Sequence, residues 1–373
     1  MHFTVDREVI FKSLTHIQSV VEKRNTVPIL SNVLISANDD KLSLLATDLD
    51  MWIIENLSCQ SQISGSITVS AHLLCDIVRK LPEGSEIELK ILDEEGSLVQ
   101  VSSERTNFKL PSLPANDFPV LSEEDFKNQF IISSDNFIRL IDKTKFAIST
   151  EEARYYLNGI FLHEAESNNV PMLRAVATDG HRLAQVDFPL PEGAKDIAGI
   201  IIPNKTIREV RKLIDDYSGD LSISSSSSKI KFVIGEVTVY SKLIDGTFPD
   251  YTKVIPTEHT KLMKVEKKLF SSAVDRVSTI SSHKSKSVKI KIDTNKLLIS
   301  ATSDEAGRGL EEIVANYESD VMEIGFNSKY LLDIASQVDG DVIYFKLSDA
   351  ASPALIGDSG DESAIFVLMP MRV

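Results

Sequence analysis

Two cysteines, Cys59 and Cys75, are the only thiols in 373 residues, and neither belongs to a ligand-spaced set. That scarcity excludes a disulfide framework and a cysteine-ligated metal site; it implies two buried free thiols in a reducing cytoplasm. Long hydrophobic runs are also missing, and none approaches the roughly 20 residues that a membrane span needs. The start, Met1-His2-Phe3-Thr4-Val5-Asp6-Arg7-Glu8, is mixed and charged, so no signal peptide is expected. There is no Gly-Lys-Ser/Thr phosphate loop and no Gly-x-Gly-x-x-Gly. His163-Glu164 lacks the second histidine of a zinc helix, and the seven histidines are scattered, so neither a metal nor a cofactor is expected. Positive charge is short as well. Against 55 Asp and Glu stand 40 Lys and Arg, a net charge of −15. Such a total argues against wrapping a nucleic acid, because phosphate binding needs Lys and Arg. A total is silent on distribution, however.

What the chain has instead is repetition. Ala46-Thr47-Asp48, Ala177-Thr178-Asp179 and Ala301-Thr302-Ser303 each follow a strand-like run, and the copies lie 131 and 124 residues apart. Each third then repeats one succession of signals. A strand leads into a helix carrying one apolar face (Ile10, Leu14, Ile17 and Val21; Phe137, Leu140, Ile141 and Thr144; Phe270, Ala273, Val274 and Val277). Strand-like runs follow, and a second helix opens after Ser70, Pro203 or Phe326. Its inward positions are Leu74, Ile77, Val78 and Leu81, then Ile207, Val210, Ile214 and Tyr217, then Leu331, Ile334, Ala335 and Val338. Three alternating strands close each third. Stretches rich in Pro, Asp and Phe, Asn116–Pro119 and Asp245–Tyr251, read as linkers. These landmarks predict three homologous α+β domains, 1–126, 127–254 and 255–373, each with two helices packed on antiparallel sheets. Repeats without a catalytic signature suggest a geometric task, and a head-to-tail association whose rotation closes would make a ring.

The outward helix faces carry more cations than the net charge suggests: Lys12, Arg79, Lys80, Arg139, Lys143, Arg208, Arg211, Lys212, Lys267, Lys268, Arg276 and Lys329. Acids share these faces (Glu8, Asp76, Asp142, Glu209, Asp275, Asp333), so the excess is modest. Six such helices on one side of an arc would sum their fields into a weak, sequence-blind attraction for phosphates. Gly357-Asp358-Ser359-Gly360 has the look of a serine-protease nucleophile, and with Asp179 and His181 a triad can be written on paper. A Gly-Asp-Ser turn joining the last two strands is the stronger reading, and no constellation that carries chemistry is expected.

Several long motifs resemble one family. They are Arg154-Tyr155-Tyr156-Leu157-Asn158-Gly159, Ala177–Ala184, Ser241–Tyr251, Glu323–Asn327 and Met369-Pro370-Met371-Arg372. In this order, along the whole chain, they resemble the bacterial replicative sliding clamp, the beta subunit of DNA polymerase III. The resemblance implies a non-catalytic homodimer whose chains form the two halves of a closed ring around duplex DNA, tethering a polymerase and opened by a clamp loader. It implies a partner-peptide pocket from Leu157, Thr178, Gly180, His181, Arg182, Leu183, Pro249, Val254, Asn327, Tyr330, Val367, Leu368, Met369, Pro370, Met371 and Arg372. It implies DNA contacts from Arg24, Tyr155, Tyr156 and Lys205, and a dimer seam of Arg105 and Phe108 against Ile280, Glu311 and Glu312. The sequence departs from the family pattern at Lys253 and Ser285 on the pocket rim and at Glu151 near the DNA positions.

Overall fold

Strand, helix, three or more strands, helix, three strands: the chain runs through this order three times. The computed structural model describes residues 1–23, 26–93, 96–121, 125–281, 286–303 and 306–372. The first pass is β1 (His2–Asp6), α1 (Arg7–Gln18), β2 (Asn32–Asn38), β3 (Lys41–Thr47), β4 (Met51–Ser58), β5 (Gln60–Ile63), β6 (Gly65–Ser70), α2 (Ala71–Lys80), β7 (Glu86–Ile91), β8 (Leu98–Ser103) and β9 (Thr106–Pro111). The second is β10 (Asn128–Ser133), α3 (Ser134–Lys145), β11 (Gly159–Ser167), β12 (Val170–Thr178), β13 (Arg182–Pro189), β14 (Ile200–Pro203), α4 (Asn204–Asp215), β15 (Asp220–Ser225), β16 (Lys229–Ile234) and β17 (Val237–Lys242). The third is β18 (Lys261–Glu266), α5 (Lys267–Ser278), β19 (Ser287–Asp293), β20 (Lys296–Ser303), β21 (Gly307–Val314), β22 (Met322–Asn327), α6 (Ser328–Gln337), β23 (Val342–Leu347), β24 (Ala354–Asp358) and β25 (Asp361–Leu368). Three repeated α+β domains with antiparallel sheets are therefore observed. Among the described residues, the first has an additional short strand, β5.

The helices start and bury where their sequences direct. Asp6 caps α1, its carboxylate accepting from the Glu8 and Val9 amides at 2.9 and 3.1 Å. Ile10, Leu14 and Ile17 are fully buried, each contributing roughly 2 kcal/mol by leaving water. Asn327 caps α6 by accepting from the Lys329 and Tyr330 amides. Ser70 does the same for α2.

Compactness divides the chain into two units. The first comprises residues 1–135, 191–195 and 205–243. It holds a five-stranded sheet in the order β5-β1-β7-β8-β9 and an eight-stranded sheet in the order β10-β15-β16-β17-β4-β3-β2-β6. The eight-stranded sheet is continuous because β17 pairs with β4, Val239 opposite Ile53. The second unit comprises residues 136–190, 196–204 and 244–373. Its eight-stranded sheet runs β14-β11-β12-β13-β25-β24-β23-β18, joined where β13 pairs with β25. Its four-stranded sheet runs β21-β20-β19-β22. The second repeat thus supplies half of each long sheet.

Burial corrects several outward assignments. Lys143 is buried, donating to the Gln337 carbonyl and pairing with Asp339, and Arg139 is bonded to Asp361 and Ser363. Neither is a solvent-face cation, because α3 is flanked by the end of α6 and the start of β25, whose polar groups draw both side chains inward. Glu209 is buried rather than exposed. Phe118, in the stretch expected to be a linker, is 3% exposed and packs on Ile29 and Leu30. Tyr217 lies beyond the end of α4 and is only half-buried.

Candidate functional site

The repeated Ala-Thr-Asp builds a turn. Thr178 Oγ1 donates to the Arg182 carbonyl at 2.7 Å and accepts from the Gly180 amide at 3.1 Å. Asp179 Oδ1 accepts from the His181 and Arg182 amides at 2.9 and 3.0 Å. The first repeat makes the same four bonds: Thr47 to the Met51 carbonyl, Leu49 amide to Thr47, and the Asp50 and Met51 amides to Asp48. Asp179 is occupied as a turn acceptor and as an ion-pair partner of Arg182. Ser359 sits in the two-residue turn between β24 and β25, its amide donating to the Val342 carbonyl. Asp358 beside it accepts from the Gly340 and Gly360 amides. The side chains of Ser359 and His181 share no hydrogen bond among the described residues, so the paper triad is two unrelated turns.

What sets the second copy apart is the cavity beside its turn. About 260 Å³ in volume, it is lined by Arg154, Tyr156, Leu157, Thr178, Gly180, Arg182, Leu183, Pro249, Asp250, Tyr251, Val254, Val367 and Met369. All belong to the second compact unit. Its floor is the apolar cluster of Leu157, Val176, Leu183, Ile201, Phe248, Tyr251, Leu355 and Val367. Val254 and Met369 remain exposed at the mouth. Gly180 has φ +87°, and a Cβ there would lie 2.5 Å from Arg154 Nη1. Only glycine adopts that conformation readily, and only a hydrogen leaves room for the guanidinium. Arg154 in turn pairs with Glu151 at 2.6 Å, and its hydrogen bond and charge hold the Glu151 carboxyl below its ordinary range.

Of the sixteen residues that the resemblance assigns to the pocket, nine line this cavity: Leu157, Thr178, Gly180, Arg182, Leu183, Pro249, Val254, Val367 and Met369. Seven do not. Leu368 is fully buried in β25, Asn327 caps α6, and Tyr330 stacks on Arg182 from α6. His181 is exposed beside the turn, its carbonyl accepting from the Met369 amide at 2.9 Å. Met371 pairs with Gly325, and Pro370 and Arg372 flank it. Sequence reading left out Arg154, Asp250 and Tyr251 as lining residues, although the quoted motifs contain all three. Tyr156, expected among the DNA contacts, also lines the cavity, and neighbouring Tyr155 is exposed. A larger cleft of about 850 Å³, lined by Lys12, Ser13, His16, Glu55, Asp216, Glu236 and others, lies in the first unit. Its walls mix both signs of charge, and the smaller, apolar cavity is better suited to partner side chains.

Lys205 is bonded to Asp48. Arg24 and Ser285 lie outside the described residues. Lys253 is exposed and pairs with Asp250 at 2.9 Å. In β9, Phe108 is 37% exposed beside exposed Arg105. In β21, Glu311 pairs with Arg276 at 2.5 Å and Glu312 faces solvent, with Ile280 half-buried nearby. No helix among the described residues is long and apolar enough to cross a membrane, and none of their His, Cys, Asp and Glu form a metal-binding group.

Three family descriptions match in order along the chain: DNA polymerase III beta subunit, N-terminal domain, over residues 1–122; central domain, over 131–250; and C-terminal domain, over 252–372. The chain belongs to this family. A beta sliding clamp from Caulobacter vibrioides is 46% identical over 373 residues, covering both chains fully, and one from Escherichia coli is 36% identical over 374 residues, again covering both. Among solved structures, a DnaN sliding clamp from Bartonella birtlesii bound to griselimycin matches with TM-score 0.97 and 49% identity over all of both chains. A sliding clamp from Pseudomonas aeruginosa matches with TM-score 0.94 and 36% identity, also over all of both. The family is a processivity factor rather than a catalyst, a DNA-encircling ring that works with a polymerase. The turn geometry at Asp179 and Ser359 agrees with the absence of catalysis.

Proposed function

We propose that two copies of this chain, each with repeats at 1–126, 127–254 and 255–373, pair head to tail and close a ring on duplex DNA in the bacterial cytoplasm. The cavity under Thr178–Leu183, extended by His181, Asn327, Tyr330, Leu368 and Pro370–Arg372, takes short linear segments of the polymerase III catalytic subunit, the clamp loader and other replication and repair proteins.

A pairing rule carries the ring. In each eight-stranded sheet, the end strand of one repeat's four-stranded half joins the last strand of the next repeat: β4 takes β17 and β13 takes β25. The residues opposite the motif alanines sit at the centre of each join. Ala46 pairs with Ile53, which faces Val239; Ala177 pairs with Ala184, which faces Phe366. All of them are buried. In the third repeat Ala301 pairs with Gly309 on β21, an edge strand. The corresponding last strand, β9, is an edge too. Phe108 occupies the place of Val239, since the lines Phe3-Leu89-Val101-Phe108 and Phe130-Ile223-Phe232-Val239 cross the two sheets in the same way. The rule therefore sets Phe108 of one copy opposite Gly309 of the next, over Ile280, with Arg105 reaching Glu312 and Thr106 facing Glu311. The absence of a side chain at Gly309 leaves space for the phenyl ring. Two uncovered edges with matching register support a closed pair over an open monomer.

For DNA, the support is electrostatic. Lys12, Lys80, Arg208, Lys268 and Lys329 are exposed on five helices and have no ion pair among the described residues. With Arg24, Tyr155, Tyr156 and Lys205 they offer weak, sequence-independent phosphate contacts, which suits sliding. Loading on nicked circular duplex tests the reading: binding should survive high salt and be lost when the circle is cut. Retention on linear duplex equal to that on the circle would refute topological tethering.

A further inference from the structure

Behind the cavity, His163 on β11, Arg174 on β12, Asp187 on β13 and Tyr251 form a polar network, with Gln185 also donating to Asp187. The His163 Nδ1 lies 2.6 Å from the Glu164 carbonyl, which can only accept, so Nδ1 carries the proton. The other nitrogen, Nε2, then has a lone pair 2.9 Å from the Tyr251 hydroxyl, which must donate to it. Arg174 Nη1 donates to the same hydroxyl at 3.4 Å, and the guanidinium is fixed by two 2.6 Å bonds to Asp187. Each partner is satisfied, and the tautomer is dictated. Around the network, Phe161 stacks on His163 at 4.6 Å and on Phe248 at 4.8 Å. Tyr251, 6% exposed, is the buried residue of the Pro249–Val254 segment that walls the cavity.

We propose that neutral His163, acting through the Tyr251 hydroxyl, positions the Pro249–Val254 wall, so that partner binding weakens when the imidazole takes up a proton. The inference rests on the reading of the cavity as the partner site. Protonation would turn Nε2 from acceptor into donor. The Tyr251 hydroxyl would then face two cations, His163 and Arg174, and lose the lone pair it donates to. The charged groups around the ring are Arg174 from the neighbouring strand β12 and Asp187 from β13, one strand further on. Glu164 offers its carbonyl to Nδ1, and its carboxylate accepts from the Asp196 amide at 2.7 Å, so it has a partner of its own. Burial, with Arg174 adding to it, holds the imidazole below its ordinary range, against the hydrogen bond to Glu164. The folded state therefore binds fewer protons than the unfolded chain as pH falls below about 6.5. The latch is therefore still intact at that pH and is lost only as the pH falls further, through the depressed folded value of the imidazole.

Tyr251→Phe and His163→Gln separate the latch from simple packing. A glutamine oxygen accepts from Tyr251 without titrating. The probe is the purified catalytic subunit of DNA polymerase III, its affinity for the full-length dimer read at pH 7.5, 6.5 and 5.5. At pH 7.5, Tyr251→Phe should weaken binding by about threefold to tenfold, the scale of one buried hydrogen bond. His163→Gln should match the wild type at pH 7.5 and lack the additional loss that the wild type shows at pH 5.5. An equal pH slope in wild type and His163→Gln would overturn the latch. Failure of wild type to bind the subunit at pH 7.5 would instead overturn the cavity reading. Amide exchange of residues 250–255, compared between wild type and His163→Gln at pH 5.5, then decides the latch by itself: faster exchange in wild type supports it, and equal exchange refutes it.

Discussion

The guanidinium carbon of Arg182 lies 4.2 Å from the centre of the Tyr330 ring and 5.1 Å from that of Phe146. The same group donates to Asp179, Asp333 and the Phe146 carbonyl at 3.1, 2.5 and 2.5 Å. A planar fork set against two rings and bonded to three partners is not replaceable by an ammonium. Arg182 therefore ties the turn that borders the cavity to α6.

Arg182→Met should destabilise the fold by about 2–4 kcal/mol, because it strips Asp179 and Asp333 of a buried partner. Asp333 is partly exposed, which keeps the loss toward the lower figure. Urea unfolding measures it, and Arg182→Lys should fall between the two. A loss under about 0.5 kcal/mol for Arg182→Met would show that the network is not structural.

Gly180→Ala should cost about 1–2 kcal/mol from the left-handed backbone alone. The steric term adds little to stability, since the clash is with the end of the flexible Arg154 side chain. Moving that guanidinium does change the cavity mouth. Polymerase binding should thus fall more than the melting temperature suggests, which calorimetric titration beside thermal melts would reveal. Unchanged affinity would mean that Arg154 does not shape the mouth.

Much of this arrangement was legible in the sequence, and the remainder fails to be so for identifiable reasons. Caps at Asp6, Ser70 and Asn327 and the faces of Ile10, Leu14 and Ile17 are local signals, because helix periodicity and capping chemistry involve neighbours in the chain. Lys143 looks outward from its place on α3, and only the arrival of the end of α6 beside it buries it. Tyr251 was visible as a motif residue, but its partners His163, Arg174 and Asp187 are more than sixty residues away, and no spacing rule links them. Likewise, nothing local says that β4 will meet β17. That pairing is fixed only when both sheets exist.

Phe108→Asp should convert the dimer to monomer at micromolar concentration, as read by sedimentation, because the carboxylate would be buried opposite Gly309 and near Glu311 and Glu312. Leu183→Asp, in the cavity floor, should leave the dimer intact and abolish polymerase binding. Dimers of Phe108→Asp that sediment like wild type would place the seam elsewhere.

The two internal sheet joins should differ in stiffness. At the join of β13 to β25, Arg139 reaches Asp361 and Ser363 while Lys143 reaches the Gln337 carbonyl and Asp339, so α3 is strapped across the seam. The helix in the same place at the join of β4 to β17 is α1, with Lys12 and His16 at the corresponding positions. There His16 turns back to Glu55 at 2.9 Å, which also takes the Ser13 hydroxyl at 2.7 Å, and the 850 Å³ cleft stays open. Lys242 to Asp50 and Lys205 to Asp48 cross the first join at its turn end, but among the described residues no ion pair from α1 crosses it. Its helix-covered part should therefore open more often, and local opening is what amide exchange reports. Amides of Ile53 and Val239 should exchange faster than those of Ala184 and Phe366. Arg139→Ala combined with Lys143→Ala should bring the second pair toward the first by roughly tenfold or more, since two partly buried charge-assisted bonds are lost. Equal protection of both joins in the unaltered dimer would show that strand pairing alone sets their stiffness.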